Sequence, residues 1–466
     1  MAWPVSGRAL PQGWAAVKSP AMAAPHSGAR EMEPMEFGAG KPLRGNAALP
    51  GDKSISHRAL MLAAMARGRS RILGLSEGGD VHSTAAALRA MGVGIARDGA
   101  GWAVDGVGTG CLLQPERPLD MGNSGTSARL LMGLAASHPI SAIFTGDASL
   151  CRRPMDRVAE PLRRMGAEIL ASPGDRLPLT VRGMHPAAAL SHRLTVASAQ
   201  VKSALLLAGL NAAGTTRVIE RAATRDHSER MLKLFGADID VRVSPAERLI
   251  SLRGEAELSP QDVTVSGDPS SAAFLAVAAL VVPGSELLME GVGANPMRTG
   301  LFDVLARMGG DIRWSNRREV SGEPVADLVV RSSGLTGIAL GPEAVPAMID
   351  EFPIFFVAAA FAAGETRTRG LAELRVKESD RISAMARGLR AIGAEVAESE
   401  DGLVIVGSEG RPLAGGATID PELDHRIAMS FAVAGLHCRR PLTVSDMEPV
   451  ETSFPGFGRL LRELGA

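Results

Sequence analysis

Pro50-Gly51-Asp52-Lys53-Ser54-Ile55-Ser56-His57-Arg58 runs without a break into the apolar Ala59-Leu60-Met61-Leu62-Ala63-Ala64-Met65. The spacing predicts a polar turn that opens a helix. Ser54 or Ser56 can cap the free N–H groups of its first turn, and Lys53 and Arg58 put two cations at the same end. A helix N-terminus carries unpaired donors and partial positive charge, so such an end attracts an anion. An ordinary capped helix with solvated cations would read the same way. What separates the two readings is that the pattern recurs.

A short phrase closes successive segments of the chain: Ala90-Met91-Gly92-Val93, Arg164-Met165-Gly166-Ala167, Leu234-Phe235-Gly236-Ala237, Arg307-Met308-Gly309-Gly310, Ala391-Ile392-Gly393-Ala394 and Glu463-Leu464-Gly465-Ala466. Each follows a helical pattern, so each glycine is placed to take the left-handed conformation that ends a helix. Each unit also begins alike, with a polar turn feeding an Ala/Leu-rich helix: Lys53 to Arg58, Asn123 to Arg129, Ser198 to Lys202, Asp268 to Ser271, Asp350 to Pro353 and Asp424 to Arg426. This is an internal repeat of about 70 residues. Asp226 followed by Glu229 has the spacing of a capping box before the second helix of the third unit. Helices alternating with β-rich runs imply an α/β fold, and six units in a chain of two-domain length imply three per domain. The polar Glu255 to Gln261 marks the expected boundary, with residues 51–260 in one domain.

Lys plus Arg (50) nearly balance Asp plus Glu (51), aromatic residues are 3% and Tyr is absent. Neither a polyanion-binding surface nor a base-stacking platform is suggested, so nucleic acid is not expected as a partner. The apolar runs Ala272 to Val282 and Ile354 to Ala363 are short for a bilayer span and suit buried helices, so no membrane is expected. Cys111, Cys151 and Cys438 form no CxxC pair and no metal-ligand spacing, which fits a reducing, cytoplasmic compartment. Residues 1–40 are rich in Pro, Gly, Ala and Ser, with no acidic residue before Glu31, and are expected to be disordered. Organellar targeting by this acid-poor stretch is the alternative reading.

The polar openings supply Lys53, Arg58, Arg129, Lys202 and Arg426, and the turns before the second helices supply Arg153, Arg225, Lys377 and Arg381. Arg forks match carboxylate and phosphate geometry, and Lys supplies a point charge. In a nearly neutral chain, this many cations at equivalent repeat positions point to a small, multiply anionic ligand. Asp350 and Glu378 are the acid/base candidates. His425, between Asp424 and Arg426, reads equally as a general base or a structural hydrogen-bonding residue and is left outside the catalytic set.

These residues resemble the 5-enolpyruvylshikimate-3-phosphate synthases over about residues 42–466. The motifs that carry the resemblance are the Pro50 to Arg58 stretch, Gly122-Asn123-Ser124-Gly125-Thr126, Arg153-Pro154-Met155, Ser198-Ala199-Gln200-Val201-Lys202, Arg375-Val376-Lys377-Glu378-Ser379-Asp380-Arg381 and Asp424-His425-Arg426-Ile427-Ala428-Met429. The resemblance implies two inverse α/β domains, each of three βαβαββ-like repeats, hinged around a central cleft, with residues 41–50 joining 261–466 in the second domain. It implies a monomer that joins phosphoenolpyruvate to shikimate 3-phosphate and releases phosphate, with no cofactor and no metal. By that likeness Lys53, Ser54, Arg58, Ser198, Ala199, Gln200, Arg225, Asp350 and Lys377 hold shikimate 3-phosphate. Lys53, Gly125, Arg153, Gln200, Arg381 and Arg426 hold phosphoenolpyruvate. Asp350 is the expected base on the 5-hydroxyl and Glu378 the expected proton donor.

Two departures stand out. Some members carry a Tyr near the acceptor ring and a Lys just before the Thr-Phe-Pro near the C-terminus; this chain has no Tyr, and Thr452 stands where that Lys aligns. It therefore resembles the second, more divergent branch. Glyphosate-tolerant members of that branch can carry Ala where Gly125 stands, so this chain is expected to be the more sensitive. The related UDP-N-acetylglucosamine enolpyruvyltransferases, whose loop holds a reactive Cys, are the alternative, with Cys151 the residue to compare; they have Lys-Asn in place of Lys53-Ser54. A non-catalytic anion-binding repeat protein is a further alternative, and the presence of both Asp350 and Glu378 speaks against it.

Overall fold

A computed structural model describes residues 34–465 of the chain, so most of the expected disordered extension lies outside the described residues. Its last part is ordered. Met35–Phe37 forms a strand antiparallel to Leu442–Val444, which corrects the expectation of an irregular stretch to residue 40.

The six predicted units are present: the first five are each a helix, a strand, a second helix and a β-hairpin, while the sixth ends at its second helix, Phe457–Leu464, and Met35–Phe37 supplies the antiparallel strand in place of a hairpin. In the first, Lys53–Met65 is followed by Arg67–Leu73, Gly79–Ala90 and the pair Gly94–Asp98 and Gly101–Val107. The glycines of the recurring phrase end the second helices: Gly92, Gly166, Gly236, Gly309, Gly393 and Gly465 all have φ between 88 and 124°. After the first of them, Gly92 N donates to Arg89 O and Val93 N to Leu88 O, which closes the helix and turns the chain into the next strand.

A parallel strand completes each unit's sheet, giving five four-stranded sheets and one three-stranded sheet among the described residues. Two of these strands are exchanged between the halves of the chain. Arg44–Asn46 precedes the first unit yet pairs with Glu286–Gly293 of the fourth, and Asp262–Thr264 precedes the fourth yet pairs with Arg67–Leu73 of the first. The two connecting segments meet where they cross: Asp268 N donates to Pro50 O at 2.9 Å, and Asp52 N to Ser266 O at 2.8 Å. The chain therefore passes between its halves twice at one place, and these two hydrogen bonds tie the crossings together.

The first helix of each unit is buried nearly all round, which explains its Ala/Leu composition. Pro269–Val281 and Phe352–Phe361 have every residue buried. Each buried Leu or Phe adds about 1.5–3 kcal/mol. Small residues set the spacing of these helices: a Cβ on Gly133 would come within 2.3 Å of Ala204 O on the neighbouring helix Ala199–Gly209. The buried apolar residues divide into two cores, one spanning Ile55 to Val265 and the other Phe37 to Ala47 with Ala272 to Leu464. The helical stretch Pro342–Phe361 is 20 residues long with mean hydropathy 1.6, enough by length and composition to cross a membrane. Its second half lies in the centre of the second core, and Asp350 and Glu351 interrupt it. It is the core helix that its composition predicts.

Candidate active site

The openings of the helices converge on the space between the two halves, and most of them are capped by their own chain. Ser124 caps Ser127, Ser198 caps Val201, Asp268 caps Ser270 and Asp424 caps Arg426. In the first unit the cap is Asp52, which accepts from Ile55 N at 2.9 Å, and neither Ser54 nor Ser56 as predicted. The helix begins two residues earlier than a Ser54 cap requires and four earlier than a Ser56 cap, and an acidic oxygen takes the position. Ser56 Oγ instead accepts from Ser76 N. Asp226 makes no side-chain cap either; it accepts from Asn295 and pairs with Arg230, while Glu229 turns inward.

Asp350 and Glu378 come together through Arg381. Its Nη2 donates to Glu378 Oε2 at 2.7 Å and its Nη1 lies 3.6 Å from Asp350 Oδ1, while its Nε is fixed by Asp424 Oδ2 at 2.8 Å. Arg225 Nη2 approaches Asp350 Oδ2 to 2.6 Å from the other half, and Lys377 Nζ lies 3.9 Å from Oδ1. Arg426 Nη1 donates to Asp350 O at 2.7 Å. Arg153 Nη1 reaches Glu378 Oε1 at 3.4 Å, held in turn by Asn123 and Ser149. Gly125 lies against Arg153 and Arg129, and Gln200 against Thr126 and Arg129. Lys53 Nζ pairs with Asp80 Oδ2 at 2.9 Å, and Asp80 N donates to Thr452 O of the opposite half.

Arg58 sits behind this group. Its nitrogens donate to Ser228 Oγ, Ser203 Oγ and Ser54 O, leaving two of its five N–H groups uncommitted. Lys202 does not belong with the open cations. It is fully buried, 3.1 Å from Glu220 and 2.7 Å from Glu229, and serves as the counter-ion of a buried acidic pair. Removing its charge would leave two buried carboxylates without their counter-ion, typically a loss of about 3–5 kcal/mol.

Electrostatics separate the two acids from ordinary surface carboxyls. Burial works against the charge of Asp350, but Arg225, Arg426, Lys377 and Arg381 outweigh it and hold the carboxyl well below its usual range. Glu378 is likewise held well below its usual range, burial being outweighed by Arg381, Arg153 and Lys377. Burial, then Lys53 and Arg426, push His425 well below its ordinary value, so its imidazole is neutral. Burial brings Arg58 and Arg129 down to about 10. Arg153 Nε, Arg381 Nη1 and His425 Nε2 are buried without a hydrogen-bond partner. Buried groups left in this state cost about 1–3 kcal/mol each, a cost that an anion accepting from the two guanidinium donors would remove.

Three residues that the sequence reading passed over shape the site. Asp80 aims Lys53, Asn123 clamps Arg153, and Arg298 joins the capping carboxylates Asp52 and Asp268 at 2.9 and 3.2 Å where the halves cross. Asn123 stands within a quoted motif and was legible there. Asp80 and Arg298 are single charged residues with no local signature.

The family model for EPSP synthase (3-phosphoshikimate 1-carboxyvinyltransferase) matches residues 38–461. A 3-phosphoshikimate 1-carboxyvinyltransferase from Sphingopyxis alaskensis is 63% identical over 92% of this chain and 98% of its own length. That of Novosphingobium aromaticivorans is 62% identical over 92% and 99%. Among solved structures, EPSP synthase from Acinetobacter baumannii superposes with a TM-score of 0.81 at 43% identity, covering 93% of this chain and 98% of that one. The enolpyruvyl transferase NikO from Streptomyces tendae shares the fold, with a TM-score of 0.75 at 20% identity and the same coverage. With the family model spanning both halves of the cleft and relatives this close over nearly their full length, the chain belongs to the EPSP synthase family.

Proposed function

We propose that this chain transfers the enolpyruvyl group of phosphoenolpyruvate to the 5-hydroxyl of shikimate 3-phosphate, with release of phosphate, in the cleft between residues 51–260 and residues 41–50 with 261–466. The observation that carries the reading is Arg381, one guanidinium that contacts both candidate acid/base carboxylates inside a ring of cations. Lys53, Ser54, Arg58, Ser198, Ala199, Gln200, Arg225, Asp350 and Lys377 hold shikimate 3-phosphate. Lys53, Gly125, Arg153, Gln200, Arg381 and Arg426 hold phosphoenolpyruvate.

The chemistry needs a proton delivered to the methylene carbon of the donor and another taken from the acceptor hydroxyl. Asp350 takes the hydroxyl proton as the oxygen bonds to the central carbon of the alkene. Glu378 protonates the methylene, giving a tetrahedral ketal phosphate. The carbon–oxygen bond to phosphate then breaks as the hydroxyl proton passes from Asp350 to the departing phosphate, and the Glu378 carboxylate recovers a proton from the new methyl group as the alkene re-forms. Arg153, Arg381 and Lys53 stabilise charge gathering on the phosphate and hold the partners in line. Two multiply charged anions fit a cleft in which basic groups outnumber acids.

Calorimetric titration of shikimate 3-phosphate into the wild type and Lys377→Met tests the acceptor assignment. Saturable binding that weakens at least tenfold in the variant is expected. Equal affinities would remove Lys377 from the acceptor site.

A further inference from the structure

Gln200 stands in the first turn of the helix Ala199–Gly209, and its amide is held from two sides. Arg129 Nη1 donates to Gln200 Oε1 at 3.1 Å, and Gln200 Nε2 donates to Thr126 Oγ1 at 3.0 Å. A guanidinium has donors and no acceptor, so only the amide oxygen can face it. Turning the amide over would set N–H against N–H. Arg129 is anchored in turn: its Nη2 donates to Pro154 O at 3.1 Å, beside Arg153, and its Nη1 lies 3.4 Å from Gly125 O. One side chain thus ties the helix opening at Gly125, the Arg153 turn and the opening of the Gln200 helix.

We propose that Arg129 is a positioning residue for the transfer reaction: it fixes the Gln200 amide with its oxygen turned away from the anionic ligand, so that the second Nε2–H is the group offered to it. The inference rests on the reading of Gln200 as a ligand contact given above. Without Arg129 the amide can rotate and present its oxygen to a carboxylate or phosphate, which repels it. Thr126 cannot enforce the orientation, because a hydroxyl accepts or donates with equal ease.

The test is a kinetic double-mutant cycle on kcat/KM, with each substrate varied in turn, using Arg129→Met and Gln200→Ala. Each single variant should lose about tenfold, mostly in KM, the scale of one charge-assisted hydrogen bond. The double variant should be no worse than Gln200→Ala alone, and Arg129→Lys, which keeps a donor, should recover part of the loss. Losses that multiply in the double variant would overturn the proposal, since Arg129 would then act on the ligand directly. A Gln200→Ala variant with unchanged kcat/KM would instead remove Gln200 from the ligand site, and the proposal with it. Should Arg129→Met fail to fold, Gln200→Glu tests the ligand-facing N–H on which the proposal depends: its carboxylate still accepts from Arg129 but turns a charged oxygen toward the anion, so it should lose more than Gln200→Ala. Full kcat/KM in Gln200→Glu would contradict the proposal.

Discussion

Arg225 and Asp350 lie on opposite halves of the chain, and their side chains meet at 2.6 Å across the cleft. A second cross-cleft pair, Arg153 and Glu378, forms beside it at 3.4 Å. Both acids proposed for proton transfer are therefore paired with cations from the facing half. A base held this far below its usual range is weak until something draws those cations away. Anionic substrates would do so, and the same groups that bind them would release the acids for chemistry.

A proton-uptake prediction follows for Glu378. Its folded-state affinity for a proton is depressed, so it is ionised at neutral pH in the free protein. A donor that neutralises Arg153 and Arg381 raises that affinity, so binding should take up a proton, more so as the pH is lowered. Calorimetry of phosphoenolpyruvate binding, with the acceptor site left empty so that no turnover occurs, in two buffers of different ionisation heat reads this directly. Uptake is expected in the wild type and should vanish in Glu378→Gln; proton release in the wild type would contradict the assigned role.

The mouth of the cleft carries a second kind of cross-half pair. Arg157 and Glu373 make two parallel hydrogen bonds of 3.0 Å each, are 45% and 38% exposed, and belong to neither proposed substrate set. An exposed pair is worth about 0.2–1 kcal/mol, which in a closure equilibrium near balance is a factor of up to about 5. Arg157→Gln should raise KM by about that factor, and the exchanged pair Arg157→Glu with Glu373→Arg should restore it. The difference from the wild type should fade at high salt. An Arg157→Gln effect that persists unchanged in 1 M salt would argue against an electrostatic latch.

A methyl group at Gly125 would stand 2.7 Å from Arg129 Nη1 and 3.2 Å from Arg153 Nη1. Both atoms end flexible side chains, so Gly125→Ala shifts the guanidinium groups and leaves the fold intact. Misplacement by about 1 Å can cost ~100-fold, and a shift of tenths of an ångström correspondingly less. Gly125→Ala is expected to raise the glyphosate inhibition constant about tenfold or more and the KM for phosphoenolpyruvate by a smaller factor. An unchanged inhibition constant in steady-state assays would sink the idea.

How much of this could be read in advance depended on how local its cause was. The repeat was legible because the glycine that ends each second helix must take positive φ whatever surrounds it, and the six phrases mark that requirement directly. The cations at the helix openings and at the turns before the second helices were legible from their equivalent places in the repeat, as at Lys53 and Arg153. Lys202 was misread because its partners, Glu220 and Glu229, reach it only through tertiary packing. Asp52 displaced Ser54 and Ser56 because a shift of the helix start by only two residues changes which side chain can cap. Arg298 left no trace, since its two carboxylates come from segments 246 and 30 residues away.

The central claim is tested most directly by phosphate release from purified protein given phosphoenolpyruvate and shikimate 3-phosphate, beside Asp350→Ala and with UDP-N-acetylglucosamine as the other acceptor. Release with shikimate 3-phosphate alone is expected, falling by about 10²–10⁴ in Asp350→Ala, the usual worth of a general base. Release only with the nucleotide sugar, or undiminished release in Asp350→Ala, would contradict the account.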